Sequence, residues 1–130
     1  MVYFRDSGIL HSLLNLPDAH ALQGHPRVGA SWEGFALKQV LRLIQPTQAF
    51  FWATHGGAEL DLFLIHRGNR YGFEFKFNEA PTATKSIHMA VDTLQLRHLW
   101  IVYPGPHRFP IGDKISAWPL RSVPALPKEI

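Results

Sequence analysis

Apolar residues recur along this chain in two distinct rhythms. Leu37, Val40, Leu41 and Ile44 fall on the i, i+3, i+4, i+7 spacing of one helical face. Ser31 is placed to cap such a helix, and Gln45-Pro46 stops it, so a helix is expected from 31 to about 44. Ile87, Ala90, Val91 and Leu94 repeat the same spacing after Pro81-Thr82, predicting a second helix over roughly 83–95. Between them the rhythm shortens. Ala49-Phe50-Phe51-Trp52-Ala53 is a short aromatic run with polar neighbours. Glu59 to Ile65 alternates and then turns wholly apolar, as a strand buried on both faces does. Tyr71 to Phe77 alternates strictly, with Phe73, Phe75 and Phe77 on one face and Gly72, Glu74 and Lys76 on the other. Leu99 to Tyr103 is an apolar strand closed by Pro104-Gly105. The order helix, three strands, helix, strand predicts an α/β fold with a central mixed sheet flanked by helices. A strand, a helix and a strand of these lengths imply a parallel crossover, right-handed by the usual rule.

The two ends carry weaker patterns. Asp6-Ser7-Gly8 is placed to cap a short helix through Ile9, Leu10, Leu13 and Leu14, ended by Asn15 and Pro17. Asp18 is placed to cap a further turn, and Gly24, Pro26 and Gly29 mark a loop. Residues 1–30 are therefore expected to form a helical extension to a 31–103 core. Pro106 to Asp113 reads as loop, Lys114 to Leu120 as an edge strand tolerant of Pro119, and the tail from Pro124 as loose.

The strand pattern brings chemistry with it. If Gly68-Asn69 forms a two-residue hairpin turn, positions facing each other sum to 137. Asp61 then faces Lys76, and Asp61 and Glu74 are diagonal neighbours on one face, about 7–8 Å apart at Cα. A pair of carboxylates with an ammonium suits phosphodiester hydrolysis. Mg²⁺ or Mn²⁺ held by Asp61 and Glu74 would activate water and neutralise the charge developing on phosphorus. Lys76 would orient that water, and Glu33, which points along the apolar stripe of the first helix, would add a third carboxylate. Glu59 shares a face with Asp61 as a possible outer ligand. The plain alternative is a cross-strand ion pair between Asp61 and Lys76, worth roughly 0.2–1 kcal/mol.

Composition narrows the setting. The 130 residues suit one domain, and 46% hydrophobic against 18% charged residues leave ample material for a core. Thirteen Lys and Arg against ten Asp and Glu give 13 − 10 = +3, compatible with a phosphate polymer but not diagnostic of one. The absence of cysteine excludes disulfides and thiolate zinc sites, and no apolar run approaches the ~20 residues that span a bilayer. The first residues lack the layout of a signal peptide, so a cytoplasmic protein is expected. The eight histidines form no His-Glu-x-x-His; His55, beside Gly56-Gly57, is the one near the Asp61 strand.

With Asp61 in the second strand, Glu74-Phe75-Lys76 in the third and Glu33 in the first helix, the chain resembles the PD-(D/E)XK nuclease superfamily. That resemblance implies a restriction-endonuclease-like αβββαβ core, those residues as metal ligands, lysine and helix acid, DNA as substrate, and a pairing of two copies. The superfamily's usual proline before the aspartate is replaced by Leu60. Longer blocks, Tyr3 to Leu10, Gly29 to Phe35, Thr54 to Leu62, Gly72 to Lys76 and Trp100 to Gly105, resemble the C-terminal domain of unknown function carried by many prokaryotic AAA+-type ATPases. No Gly-x-x-x-x-Gly-Lys-Ser/Thr occurs, so an ATPase enters as a partner module and not as an activity of this chain. The competing expectation is a catalytically silent module that contacts nucleic acid or regulates that ATPase.

Overall fold

The computed structural model describes residues 2–3, 8–12, 31–77 and 80–130. Eight strands form one mixed sheet: β1 (Val2–Tyr3), β2 (Gly8–Ser12), β3 (Gln48–Thr54), β4 (Glu59–His66), β5 (Asn69–Phe75), β6 (His98–Tyr103), β7 (Phe109–Gly112) and β8 (Ile115–Pro119). Their spatial order is β1-β2-β3-β4-β5-β6-β8-β7. Neighbours from β1 to β5 are antiparallel, β5 to β6 and β6 to β8 are parallel, and β7 runs antiparallel to β8. The expected crossover is present, since α2 (Lys85–Leu94) connects the parallel strands β5 and β6.

Each face of the sheet has its own core. The helix α1 (Ser31–Ile44) lays Ala36, Leu37, Val40 and Ile44 against Leu62, Leu64, Phe73, Phe75 and Val102. On the other face, α2 lays Ile87, Ala90 and Leu94 against Trp52, Leu60, Phe63, Leu99 and Ile101. Both helices keep to their predicted stripes because burial of one apolar face, more than propensity, holds a helix of this length. Thr84 caps α2, its hydroxyl accepting the Ile87 N–H at 3.3 Å.

The ends differ from expectation. Residues 8–12 form a strand, not a helix, and pair antiparallel with β3 from Gly8↔Thr54 to Ser12↔Phe50. Leu10 is buried in the same layer as Phe50 and Trp52. Ile9 and Leu10 fit either template locally, and the unpaired edge of β3 decides for strand. The rest of the expected 1–30 helical extension, residues 1, 4–7 with the Asp6-Ser7 cap, and 13–30, lies outside the described residues. Phe109–Gly112 is strand and not loop, and it takes the edge role, with Pro110 tolerated there. β8 is an inner strand, flanked by β6 and β7, because Ile115, Ala117 and Trp118 are all buried. The tail is not loose. Leu120–Lys128 winds as a 3-10 segment that buries Val123 and Leu126 in the α1-side core.

Candidate functional site

The turn between β4 and β5 is one position earlier than the Asn-Gly logic suggests. His66 pairs with Asn69, and the two loop residues are Arg67 (φ 53°) and Gly68 (φ 79°). Positive φ at both loop positions is the type I′ geometry that matches strand twist, and glycine takes one of them without strain. Facing positions therefore sum to 135, as in Leu62↔Phe73, and not to 137. The slip is of two residues, so by itself it leaves each side chain of the hairpin on its predicted face. The paired ladder ends at Leu62↔Phe73, and that register, extended by one step, brings Asp61 level with Glu74 and not with Lys76 as expected.

A second departure matters more. Against β3, Phe50 faces Phe63 while Trp52 faces Leu60. Two steps on β3 thus match three on β4, and the surplus residue lies in Asp61-Leu62. This is a β-bulge, a device that interrupts pairing and re-aims side chains. It corrects the expectation that Leu60, Leu62 and Leu64 share one face. Leu60 joins Trp52 and Phe63 in the α2-side core, whereas Leu62 and Leu64 join the α1-side core. Gly72 is part of the same adjustment. A Cβ there would come within 2.6 Å of the Leu96 side chain and 3.0 Å of that of Leu60, so the α2-side core packs over a side-chain-free position.

The bulge is closed by side chains. The Asp61 N–H donates to Glu74 Oε1 at 3.1 Å, and the Phe75 N–H donates to Asp61 Oδ2 at 3.0 Å. Both acids are almost wholly buried, Asp61 at 1% exposure and Glu74 at 3%. They are the two buried polar or charged residues among those described. Lys76 follows at the end of β5. Its backbone N–H still donates to Val102 O at 2.9 Å, and its Nζ lies 3.9 Å from Glu74 Oε2. Burying two carboxylates side by side is costly unless donors and positive charge surround them. Two backbone N–H groups and a lysine supply part of that.

Whether a divalent ion suits the pair depends on donor chemistry. Carboxylate oxygens on adjoining strands are the hard ligands Mg²⁺ takes, and one or two are enough when water and substrate complete the shell. Asp61 Oδ2 and Glu74 Oε1 each accept a backbone N–H, and Glu74 Oε2 lies 3.9 Å from Lys76 Nζ. By the chemistry of its oxygen donors the pair fits a two-carboxylate ion site. The fuller set with Glu33 is not assembled: among the described residues, no three His, Asp or Glu side chains are grouped to hold a metal. Glu33 occupies the first turn of α1, the helix that packs Ala36, Leu37, Val40 and Ile44 on the β4–β5 hairpin and its neighbours. Glu59 begins β4, paired with Ala53, and His55 is exposed in the turn after β3. The Thr54 hydroxyl braces that turn by accepting the Ala58 N–H at 3.1 Å.

Sequence reasoning missed a second polar cluster at the opposite ends of β5 and β6. Tyr71, Arg97, His98, Trp100, Ser116 and Glu129 line a cleft of about 240 Å³. His98 Nε2 and Ser116 Oγ are 2.9 Å apart, and the imidazole lies 4.6 Å from the Trp100 ring. Burial holds the His98 pKa below its ordinary 6.5, opposed in part by the charge of Glu129. Only the alternation His98-x-Trp100 hinted at this, and alternation fixes a face without saying which strand will lie beside it.

Residues 28–123 match a family described as a domain of unknown function, DUF4143. Two curated proteins are 47% identical over 118 residues, an uncharacterised protein of Mycobacterium bovis and one of Mycobacterium tuberculosis. The alignment covers 91% of this chain and 27% of each relative, so the chain spans about a quarter of the length of the curated proteins it matches. No solved structure matches it.

Proposed function

This chain belongs to the DUF4143 family, and on that premise we propose that Asp61, Glu74 and Lys76 form the centre of a divalent-metal-dependent nuclease domain of the restriction-endonuclease-like, PD-(D/E)XK type. The observation that carries the reading is the pair of buried carboxylates on adjoining strands at a β-bulge, with a lysine amine beside one of them. The order α1, β3, β4, β5, α2, β6 supports it, with the aspartate on the second of three consecutive strands and Glu-x-Lys ending the third.

In this reading Asp61 and Glu74 hold Mg²⁺ or Mn²⁺, which when bound polarises the phosphodiester and lowers the pKa of water. The remaining work belongs to the chain. The backbone N–H of Phe75 fixes the Asp61 carboxylate, and that of Asp61 fixes Glu74, so neither acid must reorganise during reaction. Lys76 orients the attacking water and offsets charge on the phosphate oxygens. Glu33 would assist from the first turn of α1. DNA is the proposed substrate. The greater length of the mycobacterial relatives leaves room for an accompanying module, proposed to be an AAA+-type ATPase. Pairing of two copies would serve a double-strand cut.

One observation favours a second reading, a silent nuclease-fold module. The two acids already have a structural use, since their bonds to backbone N–H groups close the bulge. Calorimetric titration with Mn²⁺ separates the two. Wild type should bind the ion and Glu74→Gln should bind it at least about tenfold more weakly. Supercoiled plasmid with Mg²⁺ should be cut by wild type and roughly 10²–10⁴-fold more slowly by Lys76→Ala. Equal ion binding by wild type and Glu74→Gln, or undiminished cutting by Lys76→Ala, would sink the nuclease reading.

A further inference from the structure

We propose that the outer ridge of α1 and the end of β5 form a track on which an unpaired nucleic-acid strand stacks its bases; this deepens the nuclease reading and rests on it for the idea that phosphodiesters are the substrate. Phe35, at 53% exposure, and Phe77, at 49%, are the most exposed of the large apolar side chains described. Neither is needed by the cores beneath them, which close without them. Phe77 stands against Trp32, ring centroids 5.5 Å apart and planes tilted by 41°. Trp32 is itself partly buried against the α1-side core, so it holds Phe77 from below. Phe77 also directly follows Lys76, so the ring pair stands at the same end of β5 as the acids, on the α1 face of the sheet where Glu74 and Lys76 take the other, and a strand on the track would reach the acids around that end.

The ridge continues along the helix. Phe35, Lys38 and Arg42 are all exposed and stand at i, i+3 and i+7, so they share one side over roughly two turns. Arg42 is steadied by Gln39, whose Oε1 accepts from its guanidinium. The one carboxylate of α1, Glu33, lies about 200° around the helix from Phe35. Rings followed by cations, with no acid among the described residues on this side of α1, match a strand that offers base faces and phosphates in turn. A protein partner would also use rings and arginines, so binding of the oligonucleotide itself has to decide between the two. A closed duplex gives this track little, because paired bases already stack on their neighbours and show no face to Phe35 or Phe77, so the track would hold a DNA strand only where the duplex has opened.

The test uses the intact chain and fluorescently labelled oligo-dT, with a hairpin duplex of equal length as rival, in EDTA so that no cutting occurs. Fluorescence anisotropy should show tighter binding to oligo-dT than to the duplex. Phe35→Ala and Phe77→Ala should each weaken it by roughly five- to a hundredfold. Lys38→Gln and Arg42→Gln should each reduce the slope of log affinity against log salt by about 0.7. Phe35 is surface-borne, so Phe35→Ala decides the matter even if Phe77→Ala disturbs the fold, and circular dichroism checks that it folds. No binding of either oligonucleotide, equal binding of both, or oligo-dT binding indifferent to Phe35→Ala would overturn the track. Oligo-dT binding sensitive to Phe35→Ala, together with absent cleavage and absent Mn²⁺ uptake, would uphold the track while the metal reading fell. Cleavage that prefers duplex and ignores Phe35→Ala would do the reverse.

Discussion

His98 is a half-buried imidazole that gives up hydration to sit between Ser116 and Trp100. Its pKa in the folded chain is lowered from 6.5, chiefly by burial, and that of His66 is lowered too, by burial and then by the charge of Arg67. A lowered histidine binds fewer protons folded than unfolded, so its contribution is whole above pH 6.5 and disappears as pH falls through the folded value. Urea unfolding should therefore show stability falling as pH drops below about 6.5, and His98→Gln, which keeps a polar partner for Ser116, should flatten that fall. A wild-type midpoint indifferent to pH across that window would contradict it. The acids were legible where His98 was not. Strict alternation in Tyr71–Phe77 fixes the side of Glu74 and Lys76 whichever hairpin turn is used, because a two-residue slip leaves sides unchanged. The bulge at Asp61 was not legible, since it depends on β3, whose register the local pattern does not contain.

Among the elements, the C-terminal 3-10 segment shows how a misread tail becomes a structural part. Pro124 and Pro127 deny it the hydrogen bonds of an α-helix, but a three-residue repeat tolerates them and stacks Val123 over Leu126. Leu120, Val123 and Leu126 are spaced by three, as one helical face would be, but Pro124 and Pro127 forbid the α-helix that this spacing suggests, so the local pattern points to no regular element. The packing predicts that Leu126→Ala costs about 2–5 kcal/mol in chemical denaturation, whereas Lys128→Ala, on the exposed side, should stay within about 0.5 kcal/mol. Similar losses for both variants would mean that the segment does not carry core packing. The helices and the inner strands were legible for the opposite reason: their stripes are long, regular and each buried against one layer.

At the scale of the molecule, the sheet has two different ends. The β6-β8-β7 side stops at a four-residue strand carrying Pro110, which resists further pairing. The other side depends on β2 to cover the seven-residue edge of β3, whose middle, from Ala49 to Trp52, is buried. Removing residues 1–12 should leave that edge unpaired, and the shortened chain should elute as larger species than the intact one in size-exclusion chromatography. A shortened chain with unchanged elution and unchanged unfolding midpoint would show that β2 is dispensable. Among the described residues, no helix is long and apolar enough to cross a membrane.

The surplus residue in β4 has a consequence for how such a chain can vary. Leu60 already feeds one layer and Leu62 the other, as neighbours in an uninterrupted strand would. Excising Asp61 would therefore keep both oily layers in phase, at the cost of the acid and of its two bonds to Glu74 and Phe75. The layers themselves do not require the aspartate, so a single deletion can remove the chemistry and keep the architecture.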